Sequence, residues 1–330
     1  MSTVQSSELV RETISDVQQR RNVLLARIYM CAAVALWAAI EVVGAGTLGG
    51  YSGLEVVWVR YGTHLLFMFA LFVPRRRTGF VRTSRPWLQI VRSSMMLGMP
   101  ICFLLAAQRM DPQDALAVFW ISPLIVMALA QVILRERITL VQWSLAGIAF
   151  VGVMLIEQPD QDALRRPVVL AVGMALCFGL YLVMTRALRG EAMSTNLFYT
   201  AAGVFVPLSL ALPLFWRQPD SASLLTMVAI GLLGYATLAL MDLALHMAPA
   251  SAVAPFAFIQ PICFVLVGLV VGRHTGLLAL IGIAAVLASL VCLAAIDRLR
   301  AGAAPPPDAA PSLAQLPART ATSETQVTDD

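Results

Sequence analysis

The chain has 330 residues, 59% hydrophobic and only 13% charged, with a formal net charge of +4. A soluble globular domain is nearer half apolar and a quarter charged, so a mean hydropathy of +0.80 excludes a disordered chain and speaks against a soluble enzyme. All 23 basic residues are arginine, and a chain without lysine can form neither a Walker A loop nor a Schiff base.

A pI near 9.0 would suit a nucleic-acid partner in a soluble protein, but here it fits positive loops flanking membrane helices, with lipid as the surrounding partner and no nucleic acid. Cys31, Cys102, Cys177, Cys263 and Cys292 each lie in an apolar run. Their spacing matches neither a zinc site nor a disulfide framework, and His64, His246 and His274 are too far apart for a histidine-rich metal site. No metal, cofactor or catalytic residue is expected.

In chain order, residues 1–24 are polar and mixed in charge, with no short apolar stretch and cleavage site behind them. They are expected as a cytoplasmic tail, not a removed leader. Ten apolar segments follow at 25–45, 54–73, 87–108, 114–134, 139–156, 167–187, 195–215, 223–245, 251–271 and 277–296. Each can cross about 30 Å of hydrocarbon as a helix. Pro, Ala, Ser, Thr and Asp dominate residues 297–330, which open with Ala304-Pro305-Pro306-Pro307 and are expected as a disordered cytoplasmic tail.

With the amino terminus inside, 16 arginines fall in inner segments: Arg11, Arg20, Arg21, Arg27, Arg75, Arg76, Arg77, Arg82, Arg85, Arg135, Arg137, Arg186, Arg189, Arg298, Arg300 and Arg319. Five fall outside, Arg109, Arg165, Arg166, Arg217 and Arg273. The excess places both termini in the cytoplasm of a bacterial inner membrane.

The chain also repeats itself. Ala107, Met110, Pro112 and Ala115 recur 137 residues later as Ala244, Met247, Pro249 and Ala252. Ile121, Pro123, Val132 and Arg135 recur at an offset of 138 as Ile259, Pro261, Val270 and Arg273, and Ala35-Leu36 at 140 as Ala175-Leu176. A unit of five helices is odd, so its second copy enters the membrane from the opposite side. The expected fold class is an all-α polytopic membrane protein, ten transmembrane helices in two inverted five-helix repeats, 25–158 and 167–296.

The stretch Ala107-Gln-Arg-Met-Asp-Pro-Gln-Asp-Ala115, then Ser122-Pro123-Leu124, then Leu134-Arg135-Glu136-Arg137-Ile138-Thr139 resembles the EamA-type pattern of the drug/metabolite transporter superfamily. Leu134 stands where that pattern has glycine. The second half keeps Pro261 and Gly272-Arg273, with His274 in place of the common glutamate. The resemblance covers residues 25–296. It implies a secondary transporter of a small metabolite (amino acid-like or amphipathic) working by alternating access, more readily as an exporter, with helices 1, 3, 4, 6, 8 and 9 lining a central cavity. An importer of a vitamin or nucleoside-like solute is the alternative within the class. A membrane-embedded enzyme or lipid-handling protein is the alternative outside it. A monomer or a homodimer fits equally.

Ionisable residues inside a bilayer are costly and mark function. Glu41 lies one turn after Trp37 on the same face of helix 1 and aligns with Tyr181 in the repeat. It either lines the transport path, where it can carry a proton, or forms a buried pair with Arg60 of helix 2. Arg92 of helix 3 and Asp242 of helix 8 either snorkel to the inner interface or form an inner gate or substrate anchor. Trp120, Ser122 and Pro123 of helix 4 match Phe258, Gln260 and Pro261 of helix 9, which predicts two repeat-related bends. Aromatics such as Trp37, Trp120, Tyr181 and Tyr235 suit a flat or cationic solute. Glu55, Asp111, Asp114 and Glu157 read as interfacial, and Gly268-x-x-x-Gly272 as a close helix contact. Gly50-Tyr51-Ser52-Gly53 resembles the rhomboid-protease Gly-x-Ser-Gly, but its serine lies in a loop and ten helices is the wrong number.

Overall fold

The computed structural model describes residues 3–74, 78–160, 168–270, 272 and 274–302, and the side chains of 17–74, 79–160, 168–270, 272 and 274–296. Among the described residues, ten helices are long and apolar enough to cross a membrane, and the chain is a polytopic all-α membrane protein. They are helix 1 (Val17–Thr47), helix 2 (Gly53–Phe72), helix 3 (Pro86–Ala107), helix 4 (Pro112–Ile133) and helix 5 (Leu140–Glu157). Helix 6 (Val169–Ala187), helix 7 (Met193–Leu214), helix 8 (Ser221–Met247), helix 9 (Ala250–Val270) and helix 10 (Leu277–Ile296) complete them. Odd-numbered helices start on the face where helix 1 starts, called here the near face; the opposite one is the far face.

Two ends differ from expectation. Helix 1 runs back to Thr3, through the segment expected as a separate tail. No proline or glycine precedes Gly44, so nothing interrupts it. Helix 10 continues to Gly302, past the expected boundary at 296. The disordered tail expected beyond it, and Arg75, Arg76, Arg77, Arg165, Arg166, Arg273 and Arg319, lie outside the described residues.

The repeat-related bends are complete breaks. Helix 4 consists of Pro112–Phe119 and Ser122–Ile133, parted at Trp120 and Ile121. Helix 9 consists of Ala250–Val253, a tight 3-10 stretch over Ala254–Phe258, and Ile259–Val270. Pro123 and Pro261 stand in the first turn of each second segment, where a missing N–H leaves nothing unpaired. The turn after helix 4 is left-handed at Arg135 (φ 56°), so the position that wants glycine is 135, not Leu134. Helix 9 ends at Val270 and Gly272 has φ +81°, so Gly268-x-x-x-Gly272 is a helix end and not a helix face.

Packing follows a two-fold pattern. Helix 1 packs on helix 8 as helix 6 packs on helix 3, and helix 2 packs on helix 8 as helix 7 packs on helix 3. Helices 5 and 10 pack on each other, as do helices 2 and 7. The contact between helices 5 and 10 is made backbone to backbone at Gly152 and Gly282: a Cβ added at Gly152 would lie 2.8 Å from the Gly282 carbonyl oxygen. Gly147 on the same helix faces open space. Gly152→Ala is therefore expected to destabilise by about 1–3 kcal/mol through overpacking, while Gly147→Ala is neutral or stabilising by helix propensity. Thermal unfolding of the two purified variants checks this.

Candidate functional site

A cavity of about 840 Å³ lies between the two halves. Its wall runs from Gly49, Tyr51, Gly53 and Pro112 at the far face to Met96, Met241 and Gln260 in the interior. Helices 1, 3, 4, 6, 8 and 9 all contribute, as the resemblance implied, and helix 2 joins them through Val56, Val57, Arg60 and Tyr61. Of the eleven candidate residues the cavity gathers five: Trp37, Glu41, Arg60, Trp120 and Gln260.

Much of the interior wall is aromatic. Trp37 meets Phe178 edge-on at 5.3 Å between ring centroids and Phe119 at 6.2 Å. Phe119 lies 5.4 Å from both Phe178 and Trp120. These are favourable edge and tilted geometries for rings held by three different helices. The break in helix 4 places Phe119 and Trp120 here. The Trp120 indole N–H donates to Glu157 Oε1 at 3.1 Å, which ties helix 4 to the end of helix 5.

Two opposite charges face this apolar space. Glu41 accepts a hydrogen bond from the Trp37 indole at 2.9 Å, one turn away on the same face of helix 1. The expected alternative, a pair between Glu41 and Arg60, is not formed: among the described residues no ion pair joins them. The Arg60 guanidinium lies 5.6 Å from the Tyr61 ring centroid, and its Nε is buried without an acceptor.

The other six candidates are elsewhere. Arg92 and Asp242 do not snorkel; each is 1% exposed. Arg92 donates to Gln89 Oε1 at 3.0 Å, to Thr185 Oγ1 at 3.1 Å and to the Asn196 carbonyl, with its guanidinium 5.2 Å from the Tyr181 ring. Gln89 donates to Asn196 Oδ1 at 2.7 Å, and Asn196 donates onward to Asp242 at 3.2 Å. Because partners are supplied inside, neither charge needs to reach water. Tyr181 is buried beneath Arg92 and Phe258 within the core, while Ser122 is buried with an unpaired hydroxyl. Tyr235 packs on His64 at 4.9 Å and on Phe67 at 5.0 Å instead of facing the cavity. This layer joins helices 3, 6, 7 and 8 close to the near face. His246 extends it: Nδ1 is 2.8 Å from the Asp242 carbonyl oxygen and Nε2 is 3.2 Å from that of Glu191. The same face is tied further by Glu136, which accepts from the Ala250 and Ser251 N–H groups, and by Arg27, which donates to the Ala252 carbonyl.

The far face is held differently. Tyr51 donates to Asp220 at 3.0 Å and Arg217 to the Gly50 carbonyl at 2.8 Å. Asp220 also caps helix 8 through the Ala222 and Ser223 N–H groups. Hydrogen bonds from Ser223 first, then from Tyr51 and the Ala222 N–H, hold its carboxyl down at about 2. Its contribution is thus complete above its ordinary value of 3.8 and is lost only as pH falls through about 2. Glu55, expected at the interface, is instead fully buried in the first turn of helix 2, with both carboxylate oxygens lacking a hydrogen-bond partner.

Sequence reasoning missed Gln89, Thr185 and Asn196. Their signal was present, since two primary amides and a hydroxyl within apolar helices near charged residues need partners as much as the charges do. It also missed Tyr61 and Phe178, whose aromatic character is no different from that of core residues.

Residues 24–158 match the model of the EamA-like transporter family. The chain is 26% identical over 193 residues to a riboflavin transporter of Rhizobium johnstonii, covering 58% of this chain and 64% of that protein. It is 24% identical over 184 residues to an S-adenosylmethionine uptake transporter of Rickettsia conorii, covering 54% and 62%. The chain thus spans under two thirds of the length of these relatives. A solved crystal structure shares the fold with a TM-score of 0.72 at 16% identity, over 83% of this chain and 98% of the other. With ten spanning helices and the motifs at 107–139, residues 24–158 are similar to the EamA-like transporter family.

Proposed function

We propose that the protein moves a small amphipathic metabolite, amino acid-like or with a flat aromatic body, across a bacterial inner membrane by alternating access. The observation that carries this reading is the cavity itself: it is walled by helices from both halves, apolar and aromatic for most of its surface, with one acid and one guanidinium facing in. Such a lining suits a solute with a ring to stack and a polar end to orient. The arginine excess makes the near face cytoplasmic, with both termini there. The cavity then opens outward, and the layer of Gln89, Arg92, Thr185, Asn196 and Asp242 closes the inward path. Among the described residues no nucleophile–base pair lines the cavity, which supports transport over catalysis.

Glu41 is the proposed proton carrier, as the one acid among the residues that line the cavity. Export is the direction expected from the resemblance. The Rickettsia relative, an uptake transporter, favours import as the second reading. Comparing the metabolites of medium and cytosol in cells making the intact protein and Glu41→Gln at matched levels tests both. A solute enriched in the medium only with the intact protein supports proton-linked export; one enriched in the cytosol supports import. Equal transport with an unchanged pH profile in Glu41→Gln removes Glu41 from coupling.

The inner layer is the proposed gate. Asn196→Ala cuts Gln89 and Arg92 of helix 3 from Asp242 of helix 8. In a background lacking the native cysteines, a Gln260→Cys probe is expected to label several-fold faster from the cytoplasmic face of inside-out vesicles once Asn196→Ala is added. An unchanged labelling rate means the layer is structural.

A further inference from the structure

Arg60 is the one cationic side chain among the residues that line the cavity. No hydrogen bond or carboxylate holds it among the described residues; its Nε is buried and unpaired, and its guanidinium lies 5.6 Å from the Tyr61 ring centroid. Helix 8 makes room for it with a bare backbone. A Cβ at Gly234 would come within 3.1 Å of the Arg60 Cζ and 3.2 Å of Nη2. The acid of the cavity, Glu41, is engaged by Trp37 instead. Arg92 shows the contrast: its Nε is likewise unpaired, but its two terminal nitrogens have three acceptors supplied by the protein.

A guanidinium keeps its charge at any physiological pH and offers five donors in a planar fork. Half-buried against apolar and aromatic walls, with its Nε cut off from solvent and given no acceptor, it is left short of hydrogen bonds that water would give. An anionic group with two oxygens to offer, a carboxylate or a phosphate, restores them in a bidentate, charge-assisted pair. The protein supplies no such group, so the solute does.

Resting on the transport reading above, we infer that the transported solute carries an anionic group, a carboxylate or a phosphate, which docks on Arg60 while its apolar body lies against Trp37, Phe119 and Phe178. Arg60 is thereby the specificity-determining residue of the cavity: it selects acids over the corresponding amines and alcohols. Glu41, on the opposite helix, is free to meet an ammonium or a proton on the same solute.

The experiment is calorimetric titration of the purified full chain in lipid nanodiscs with four probes that share a phenyl body: 3-phenylpropanoate, phenyl phosphate, 3-phenylpropanol and phenethylamine. The two acids are expected to bind more tightly than the alcohol and the amine, and the tighter of the two acids identifies carboxylate or phosphate as the natural group. Arg60→Gln is expected to weaken the acids by about ten-fold or more, the worth of a charge-assisted contact, and to leave phenethylamine unweakened. Arg60→Lys retains part of the preference, and Gly234→Ala, which displaces the guanidinium without removing it, reduces it. Acids that bind the unaltered protein no better than the alcohol overturn the inference, a result that does not depend on any variant folding. So does an Arg60→Gln protein that still prefers acids. The transport reading fails separately, by the metabolite comparison; a moved solute without an acidic group overturns the role of Arg60 and leaves the transporter standing.

Discussion

A polar side chain among helices packed in hydrocarbon has two places to go: a partner within the protein or a space that a solute can enter. This constraint sorts the charges of the bundle into two populations. Arg92 and Asp242 are absorbed into a continuous layer with Gln89, Thr185 and Asn196, every member at most 1% exposed. Glu41 and Arg60 are turned toward the cavity and left without each other. The first population seals one face of the molecule, and the second gives the other its chemistry. Their separation along the membrane normal follows from the positions of the residues on their helices. Arg92 lies two turns from the near end of helix 3, and Arg60 two turns from the far end of helix 2.

The repeat gives the frame on which these charges hang, but the chemistry does not obey it. Thr185 aligns with Ala45 at the offset of helices 1 and 6, and Asp242 with Leu105 at the offset of helices 3 and 8. The far-face counterparts of Thr185 and Asp242 are therefore apolar, and Ala45 lines the open cavity. Two halves alike in backbone but unlike in side chains give two faces that close by different forces. Fixed hydrogen bonds close one. The other has apolar contact and a pair of exposed loop clasps, Tyr51 to Asp220 and Arg217 to Gly50, flanking its mouth.

Most of the fold was legible in the sequence because hydropathy and internal repetition are independent signals. Eight of the ten expected segments match the helices to within two residues at either end. Helices 1 and 10 run past their expected limits, because a polar helix extending from a membrane span looks like a tail on a hydropathy scale. Half of the candidate site was less legible, for a definite reason. Sequence shows that Arg92 and Asp242 lie deep in apolar helices, but whether such a residue faces a cavity or a neighbour depends on helix rotation. Amphipathicity does not reveal rotation where every face is apolar. Glu41 was placed because its partner Trp37 lies on the same helix, within the reach of an i, i+4 argument. The network of Arg92 draws on helices 6 and 7, about a hundred residues away.

Helices 5 and 10 contribute nothing to the cavity wall, yet they meet more closely than any flexible side chain would allow, backbone against backbone at Gly152 and Gly282. They are related to each other by the same two-fold that relates the halves. If the halves exchange conformations when the open face changes, a contact lying on that axis is carried into itself. In the alternating-access reading proposed above, this pair is the stationary bearing, and helices 1 and 8, with their counterparts 6 and 3, are the moving arms.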